Sequence, residues 1–417
     1  MTDLDGFLRA VNDASRRGQG AALAALLALP LPLSADKRAA SALLADQVSA
    51  RGAHGVAQVC ASSLADAGLA TLVTSRLQAL VHLVNNELES AFHHEHAAYN
   101  ATLDWFQGKD EGETQAAVPL LTRVSDDLRV VAGMAGDAKG DVSQEFLRKA
   151  LNDLTKGFSA VAKDRTPVTS PGSKKRAILA TVNVLFKIYF KVNTLQLCNK
   201  IVAVVEGPGH VMGNLEVFPV CDVVTYKYFI GRLKMYEDKY EDARDALRFA
   251  LKHTPQSALR NRQRILAILV PVEMCLGVLP SPLIATKYGF HPYLRLAEAT
   301  KRGDLRDFDA CFQEHRHVFI RLGVYLVLEQ VRATVYRNLF KRFHLISSST
   351  RLSIGAIEAV LRWMGLDTDM DEVECILANL IYQAKVKGYL SHQKRVLVIS
   401  KADPFPIASV VKKPKTV

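Results

Sequence analysis

The 417-residue sequence predicts an all-α protein, in which a superhelix of stacked helical hairpins precedes a small C-terminal domain with one β-hairpin. Apolar residues recur every three or four positions through most of the chain, which is the period of an amphipathic helix. The alternation of apolar and polar residues that is typical of a half-buried strand does not occur before Tyr389. Strands are therefore expected only near the C-terminus.

Residues 1–165 are predicted to form an N-terminal helical region. Its first apolar set has helical spacing and consists of Leu4, Phe7, Leu8 and Val11. A long stretch with the same period covers residues 64–96. The segment 163–176 contains two prolines and a glycine, a composition that predicts a linker or an exposed loop.

Residues 177–330 are predicted to form the stack of helical hairpins. The segment 223–255 is the most diagnostic, because its small and apolar residues have the spacing of a tetratricopeptide repeat: Ile230-Gly231, Ala243, Leu247, Ala250 and Pro255. Small side chains at positions 231, 243 and 250 allow two helices to approach closely. One such hairpin cannot bury its own apolar face, so neighbouring hairpins must stack on it.

Residues 331–406 have the parts of a winged helix, namely three short helices followed by a β-hairpin. The helices are predicted at 332–346, 352–365 and 369–389, and the third begins with a capping box of Asp369 and Glu372 and ends at Gly388. The strands contain Tyr389-Leu390 and residues 396–399, with residues 391–395 forming the wing between them. Residues 407–417 form a basic tail.

Three segments of this domain resemble the C-terminal end of the PCI-domain family: YRNLFK (336–341), EVECILANLIYQAKVKGYLSH (372–392) and DPFP (403–406). Within that family the sequence is similar to the branch that contains signalosome-subunit-twelve-like proteins and the PCI subunit of the nuclear transcription-coupled mRNA export (TREX-type) complex. The similarity covers residues 178–406 and is weak over residues 1–150.

The resemblance implies a helical-repeat superhelix joined to a winged helix, and a scaffold without enzymatic activity. It implies two protein partners: a large scaffold subunit with a PCI-like region of its own, and a small acidic, mostly disordered subunit. It also implies a nuclear location at the nuclear pore, with some protein in the cytoplasm, and a joint platform for RNA or DNA with weak sequence specificity. The alternative is a structural subunit of a signalosome- or proteasome-lid-type assembly that does not bind nucleic acid.

The charge distribution favours nucleic-acid binding by the winged helix. The net charge is +11, and from Val331 onward 14 Lys and Arg accompany 7 Asp and Glu, so +7 of the excess lies in the last 87 residues. The candidate contacts are Lys341, Arg342, Lys385, Lys387, Lys394, Arg395 and Lys401, with Lys412, Lys413 and Lys415 in the tail. The alternative for each residue is a solvated basic face. Five acidic residues at 367–374 would repel phosphate, so contact is expected through the wing, the C-terminal end of the third helix and the tail.

A concave surface of the helical hairpins is a second candidate, because such surfaces suit an extended peptide or another helical protein. Tyr226, Tyr228 and Arg232 are the candidate partner-binding residues. The alternative is that these tyrosines belong to the core of the repeat.

The sequence contains no recognisable catalytic or cofactor site. HHEH (93–96) is the best metal candidate, but adjacent residues on a helix point in different directions, so a polar helix face is the favoured interpretation. No phosphate-binding loop, GxSxG or HExxH occurs. The six scattered cysteines favour buried thiols in a reducing compartment. The acidic start, MTDLD, does not predict a signal peptide, and no membrane contact is expected.

Overall fold

The computed structural model describes residues 3–31, 34–141, 144–207 and 211–406, and these form 19 α-helices and one three-stranded sheet. This confirms the predicted all-α fold with helical repeats and a C-terminal winged helix. The chain divides into two compact units between Tyr226 and Lys227. The predicted domain boundaries at 165, 177 and 330 remain predictions.

Unit 1 consists of helices, most of which pack on their neighbours in sequence. The helices are α1 (Leu4–Arg16), α2 (Gly20–Leu26), α3 (Ala35–Ser63), α4 (Ala67–Val84), α5 (Leu88–Gln107), α6 (Glu111–Lys139), α7 (Glu145–Ala162), α8 (Ile178–Val192), α9 (Gln196–Glu206) and α10 (Val220–Tyr236), the last of which crosses into unit 2. Among the described helices, α4 alone is long and apolar enough to span a membrane by length and composition, and half of it is buried inside the protein.

A buried ionic cluster ties α4, α5 and α6 together inside unit 1. The Arg76 guanidinium contacts Glu95 Oε1, and it donates a hydrogen bond to Asp127 Oδ2 at 2.6 Å. It also donates to the carbonyl of Leu27, just after α2. The three charged residues are 2%, 0% and 2% exposed. Since burial disfavours a charged carboxylate, it raises the pKa of Glu95 from 4.5 to about 8.

Unit 2 begins with the remainder of α10 and continues with seven helices before the sheet. They are α11 (Tyr240–His253), α12 (Leu259–Cys275), α13 (Pro282–Tyr288), α14 (His291–Arg302), α15 (Leu305–Glu314), α16 (Arg316–Leu322) and α17 (Tyr325–Ser347). The predicted close approach within the first hairpin is present. A Cβ atom at Gly231 would lie 2.5 Å from Leu247 Cγ, so α10 and α11 need glycine at this position.

The second half of α17 is the first helix of the winged helix. It is followed by β1 (Arg351–Ser353), α18 (Ile354–Trp363), α19 (Met370–Tyr382), β2 (Gly388–Ser391) and β3 (Val396–Ile399). The strands form an antiparallel sheet in the order β1-β3-β2. The sequence predicted the β2–β3 hairpin but missed β1, because three residues are too few to show a strand period.

Helix α19 ends earlier than predicted, and Gly388 has a different role from the one expected. Asp369 is the N-terminal cap as predicted, since its Oδ1 accepts a 2.8 Å hydrogen bond from the backbone N–H of Glu372, which is one of the two bonds of a capping box. At the other end Ala384 adopts a positive φ of 54° and the N–H of Lys385 donates to the carbonyl of Leu380. Gly388 instead begins β2, where a Cβ atom would overlap the carbonyl oxygen of Val398.

The six cysteines are all free thiols, but they are not all buried as the sequence suggested. Cys60, Cys198 and Cys311 are buried, whereas Cys221 on α10 and Cys375 on α19 are exposed. Cys275 is half-buried, and its Sγ lies 3.0 Å from the carbonyl oxygen of Val327. Burial raises the pKa of Cys198 and that of Cys275 to about 12.

Candidate nucleic-acid interface

The three-stranded sheet has one buried face and one open face. In the strand register, Leu352 lies opposite Leu397, and Leu397 lies opposite Leu390. Leu352 and Leu397 are buried, and Leu390 is half-buried, so this row forms the inner face that packs on the helices. Because successive residues of a strand point to opposite sides, the neighbouring rows lie on the outer face.

Two rows of side chains cross the outer face. One row consists of Arg351, Val398 and Tyr389, and the other of Ser353, Val396 and Ser391. Arg351 and Ser353 are exposed, both valines are half-buried, and Tyr389 is 63% exposed. Neither Arg351 nor Tyr389 is among the contact residues predicted from the sequence. Their place on this face depends on the strand pairing, which the sequence alone does not show.

Arg395, the arginine of the wing, contacts acidic residues in the N-terminal part of α19. Arg395 Nη1 lies 2.6 Å from Asp371 Oδ1 and 3.0 Å from Glu374 Oε1, and His392 Nδ1 lies 2.7 Å from Glu374 Oε2. The His392 hydrogen bond and the Arg395 guanidinium together lower the pKa of Glu374. The predicted contact residue Arg395 therefore already has two carboxylate partners, and the acids at the front of α19 are partly neutralised.

Lys385 is a predicted contact residue that does not offer an exposed ammonium group. It lies after the last turn of α19 and is only partly exposed, and burial lowers its pKa, with the charge of Arg337 adding to the effect. Arg337, on α17, donates to the backbone carbonyls of Phe405 and Pro406. Arg337 thus supports the fold of the winged helix, and the Lys385 ammonium is largely withdrawn from solvent.

The other predicted contact residues are exposed. Lys341, Arg342, Lys394 and Lys401 have no ion pair within 4 Å among the residues that the structure describes. Lys387 is exposed as well, and its Nζ lies 3.1 Å from Asp403 Oδ2. Lys412, Lys413 and Lys415 of the tail lie outside the described residues. Of the seven predicted contacts within the described chain, five therefore present their cationic groups to solvent.

The three predicted partner-binding residues do not form an open surface. Tyr226 is fully buried in unit 1, where its hydroxyl lies 3.0 Å from Glu206 Oε1 and its ring stacks on Phe186. Tyr228 and Arg232 are half-buried in unit 2, and the guanidinium carbon of Arg232 lies 5.8 Å from the centre of the Tyr228 ring. Tyr226 therefore lies in the core, which was the alternative to partner binding.

An apolar pocket elsewhere in unit 2 is better shaped to receive a partner side chain. It has a volume of about 340 Å³ and lies where the loop before α14 meets α12 and α16. The rings of Phe290, Tyr293 and Phe319 stack in sequence along it, with centroid separations of 5.5 and 5.8 Å, and exposed Arg264 lies at its edge. The sequence alone could not identify this pocket, because its lining comes from three separated segments.

The side chains of residues 93–96 on α5, which were the best metal candidate in the sequence, contact different partners. Glu95 points into the buried ionic cluster, His96 contacts Asp153, and the His94 ring stacks on His82 at 4.9 Å. Across the described ranges, no group of three or more His, Cys, Asp and Glu side chains has an arrangement that could hold a metal ion.

Comparison with known proteins agrees with this architecture. Residues 312–401 match the model of the PCI domain, and residues 147–297 match that of the PSMD3-like N-terminal tetratricopeptide repeats. The chain is 35% identical over 346 residues to a PCI domain-containing protein 2 homologue of Dictyostelium discoideum, covering 80% of this chain and 78% of that protein.

Two further relatives extend this similarity. PCI domain-containing protein 2 of Xenopus laevis is 35% identical over 78% of this chain and 82% of its own length. A CSN12 homologue of Neurospora crassa is 29% identical over 65% of this chain and 66% of its own length.

Proposed function

Since this chain belongs to the PCI-domain family and is related to PCI domain-containing protein 2 and CSN12-like proteins, we propose that it is a non-enzymatic scaffold subunit of a nuclear complex that couples transcription to mRNA export. In this role its winged helix contributes to a platform that binds RNA or DNA. The protein acts in the nucleus, at the nuclear pore, with a fraction in the cytoplasm.

The observation that carries this proposal is the set of exposed cations around the winged helix. Lys341, Arg342, Lys394 and Lys401 have no ion pairs among the described residues, so their charge is available to an anionic partner. The acids at the front of α19 are meanwhile partly occupied by Arg395 and His392. Assembly with protein partners alone does not require such unpaired cations.

The contacts proposed here are mainly to phosphates. Lysine side chains on a wing and on helix ends can neutralise a sugar–phosphate backbone without reading bases, so binding is salt-dependent and weakly sequence-specific. The acidic N-terminal turn of α19 opposes the insertion of this helix into a major groove, which is the usual mode of a recognition helix.

We further propose two protein partners. A large scaffold subunit with its own PCI-like region places a second winged helix beside this one. A small acidic, disordered subunit binds the helical repeats, and the pocket lined by Phe290, Tyr293 and Phe319 can receive an apolar anchor from it. Arg264 at the pocket edge suits the acidic residues that surround such an anchor.

A second candidate function is that of a purely structural subunit in a signalosome- or proteasome-lid-type assembly. The exposed apolar side chains of the winged helix favour it, since Leu345, Ile346 and Trp363 are all largely exposed. Leu345 and Ile346 are adjacent, and contiguous exposed apolar groups are typical of surfaces that contact other proteins. This function does not include nucleic-acid binding, so a measurement of RNA binding distinguishes the two functions.

The experiment measures fluorescence anisotropy of a labelled single-stranded RNA over a series of salt concentrations, for the chain alone and co-purified with a candidate scaffold partner. A test variant changes Lys341, Arg342, Lys394 and Lys401 to Ala. Its matched control removes the same number and types of charges outside the winged helix, at the exposed residues Lys163, Arg165, Lys200 and Lys252.

The expected result is weaker binding by the test variant, with a log–log salt slope reduced by up to about 3, because each lost phosphate contact lowers the slope by about 0.7 for single strands. The control variant is expected to bind like wild type. Negligible binding by wild type even in the complex, or equal losses in both variants, would refute the nucleic-acid role and favour the structural subunit.

A further inference from the structure

We propose that the outer face of the three-stranded sheet is a stacking surface for the bases of single-stranded nucleic acid, centred on Tyr389. This inference rests on the proposed nucleic-acid binding and adds to it a site and a ligand class. Its central side chain was not indicated by the charge pattern, since a tyrosine on a short strand carries no charge.

The position of Tyr389 leaves its ring available to a ligand. Its register partner on β3 is Val398, which lies between Tyr389 and Arg351 in the same row. The helices pack on the opposite face, where Leu352 and Leu397 are buried. Tyr389 is 63% exposed, although an aromatic side chain in a strand usually gains stability from burial against its neighbours.

The charges on this face suit a polyanion. Arg351 is exposed and has no ion pair within 4 Å among the described residues. Lys387 shares the outer face, because it precedes Gly388 and the N–H of Ser400 donates to its carbonyl at 2.8 Å, which continues the pairing by one residue. Its ion pair with Asp403 is solvent-exposed on both sides, and such pairs are weak.

No acidic residue occupies an outward position of the three strands. The outward positions are Arg351, Ser353, Tyr389, Ser391, Val396 and Val398. The serines add hydroxyl groups that can donate to phosphate or to base edges. An aromatic ring that shares an open sheet face with two cations and with hydroxyl groups combines base stacking with phosphate contact. The acidic front of α19 lacks this combination.

Single-stranded nucleic acid fits this surface better than a duplex does. A tyrosine ring can stack on a base only when that base is not already stacked inside a helix, and every base has a face that can accept the ring. A protein partner is the other occupant that an exposed aromatic sheet face could have. The cations and the absence of outward acids on the strands favour the nucleic acid.

The experiment compares two ligands of equal length and charge: a fluorescein-labelled ten-nucleotide RNA, and the same sugar–phosphate chain without bases. Four proteins are titrated at fixed salt, namely wild type, Tyr389→Ala, Tyr389→Phe and Tyr382→Ala. Tyr382 is the matched control, because it is 76% exposed in the same unit but lies at the end of α19. Thermal unfolding verifies that each variant is folded.

Tyr389→Ala is expected to bind the base-bearing RNA about 5- to 150-fold more weakly than wild type, the range typical of one stacked base. Tyr389→Phe keeps the ring and is expected to bind like wild type, as is Tyr382→Ala. For the chain without bases, wild type and Tyr389→Ala are expected to bind equally. In a separate salt series, Arg351→Ala is expected to have a salt slope about 0.7 smaller than that of wild type with either ligand.

Three outcomes overturn the inference. If wild type binds and the four-cation variant is weakened while Tyr389→Ala binds within twofold of Tyr382→Ala, the stacking surface is refuted and the proposed function stands. If wild type does not bind RNA in any form, both fail together. If Tyr389→Ala binds RNA normally but no longer co-purifies with a PCI-domain partner, the face is a protein interface and contains no nucleic-acid site.

Discussion

Replacing Arg76 by Met tests how the buried ionic cluster holds unit 1 together. Arg76 is the one cation between Glu95 and Asp127 that is itself buried, and its guanidinium also donates to the carbonyl of Leu27. Methionine has nearly the length and apolar volume of the arginine stem, so the substitution removes the charge and the donors and leaves little empty space.

The expected loss in the free energy of unfolding is about 3–5 kcal/mol, which is typical when one partner of a buried ion pair is removed. A single domain is stable by only about 5–15 kcal/mol, so unit 1 should unfold at a clearly lower denaturant concentration. Arg51→Met is the control. Arg51 pairs with Asp5 at 3.5 Å on the surface, and the loss of such a pair costs at most about 1 kcal/mol.

The contribution of Glu95 to the free energy of unfolding is expected to fall as the pH rises. Burial raises the pKa of Glu95 from 4.5 to about 8, so between these values the folded protein holds a proton that the unfolded chain has released. The stability that Glu95 contributes is fully present below pH 4.5, falls as the pH rises, and is lost above pH 8. Glu95→Gln keeps the residue neutral, and its free energy of unfolding should therefore vary less over this range.

The assay is guanidinium unfolding followed by tryptophan fluorescence. The chain has two tryptophans, with Trp105 buried in unit 1 and Trp363 exposed in unit 2. In a Trp363→Phe background the signal reports on unit 1 alone. If Arg76→Met and Arg51→Met unfold at the same denaturant concentration, or if Glu95→Gln leaves the pH dependence unchanged, the reasoning from buried charge is refuted.

Three further predictions concern unit 2. Gly231→Val should destabilise it by about 1–3 kcal/mol in thermal unfolding because its Cβ would overlap Leu247, whereas Gly112→Ala on α6, with open space around it, should not destabilise unit 1. Arg337→Ala should speed hydrogen exchange at the amide of Lys387, whose N–H donates to the carbonyl of Pro404, because the variant loses the donors that hold Phe405 and Pro406, and unchanged exchange would contradict this role. Arg395→Ala should change the salt slope of RNA binding less than Lys394→Ala, because Asp371 and Glu374 already pair with Arg395, and equal changes would show that these pairs open on binding.

The sequence was sufficient to predict the helical hairpins and most of the winged helix, because these depend on local periods and caps. Gly231 and the capping residue Asp369 have the predicted roles. Strand β1 could not be predicted, because residues 351–353 become a strand only through their pairing with β3, which lies more than 40 residues further along the chain.

The candidate site was only partly predictable, because charge can be read from a sequence and burial cannot. Lys385 and Lys387 are two residues apart, yet the first is largely buried and the second is exposed. Arg395 has the charge of a contact residue but is paired with α19 through the fold of the wing. Tyr389 became a candidate only when the sheet register placed it on the open face beside Arg351.

The unequal exposure of the cysteines provides two natural attachment points for spectroscopic probes. Cys221 and Cys375 are exposed, and one lies in each compact unit. Cys60, Cys198 and Cys311 are buried, and Cys275 is half-buried with its Sγ against the carbonyl oxygen of Val327, so these four thiols are less accessible to maleimides and methanethiosulfonates. Brief spin labelling of the unmodified chain should therefore yield one nitroxide per unit, so that pulsed dipolar spectroscopy can follow the separation of the two units as partners or RNA are added.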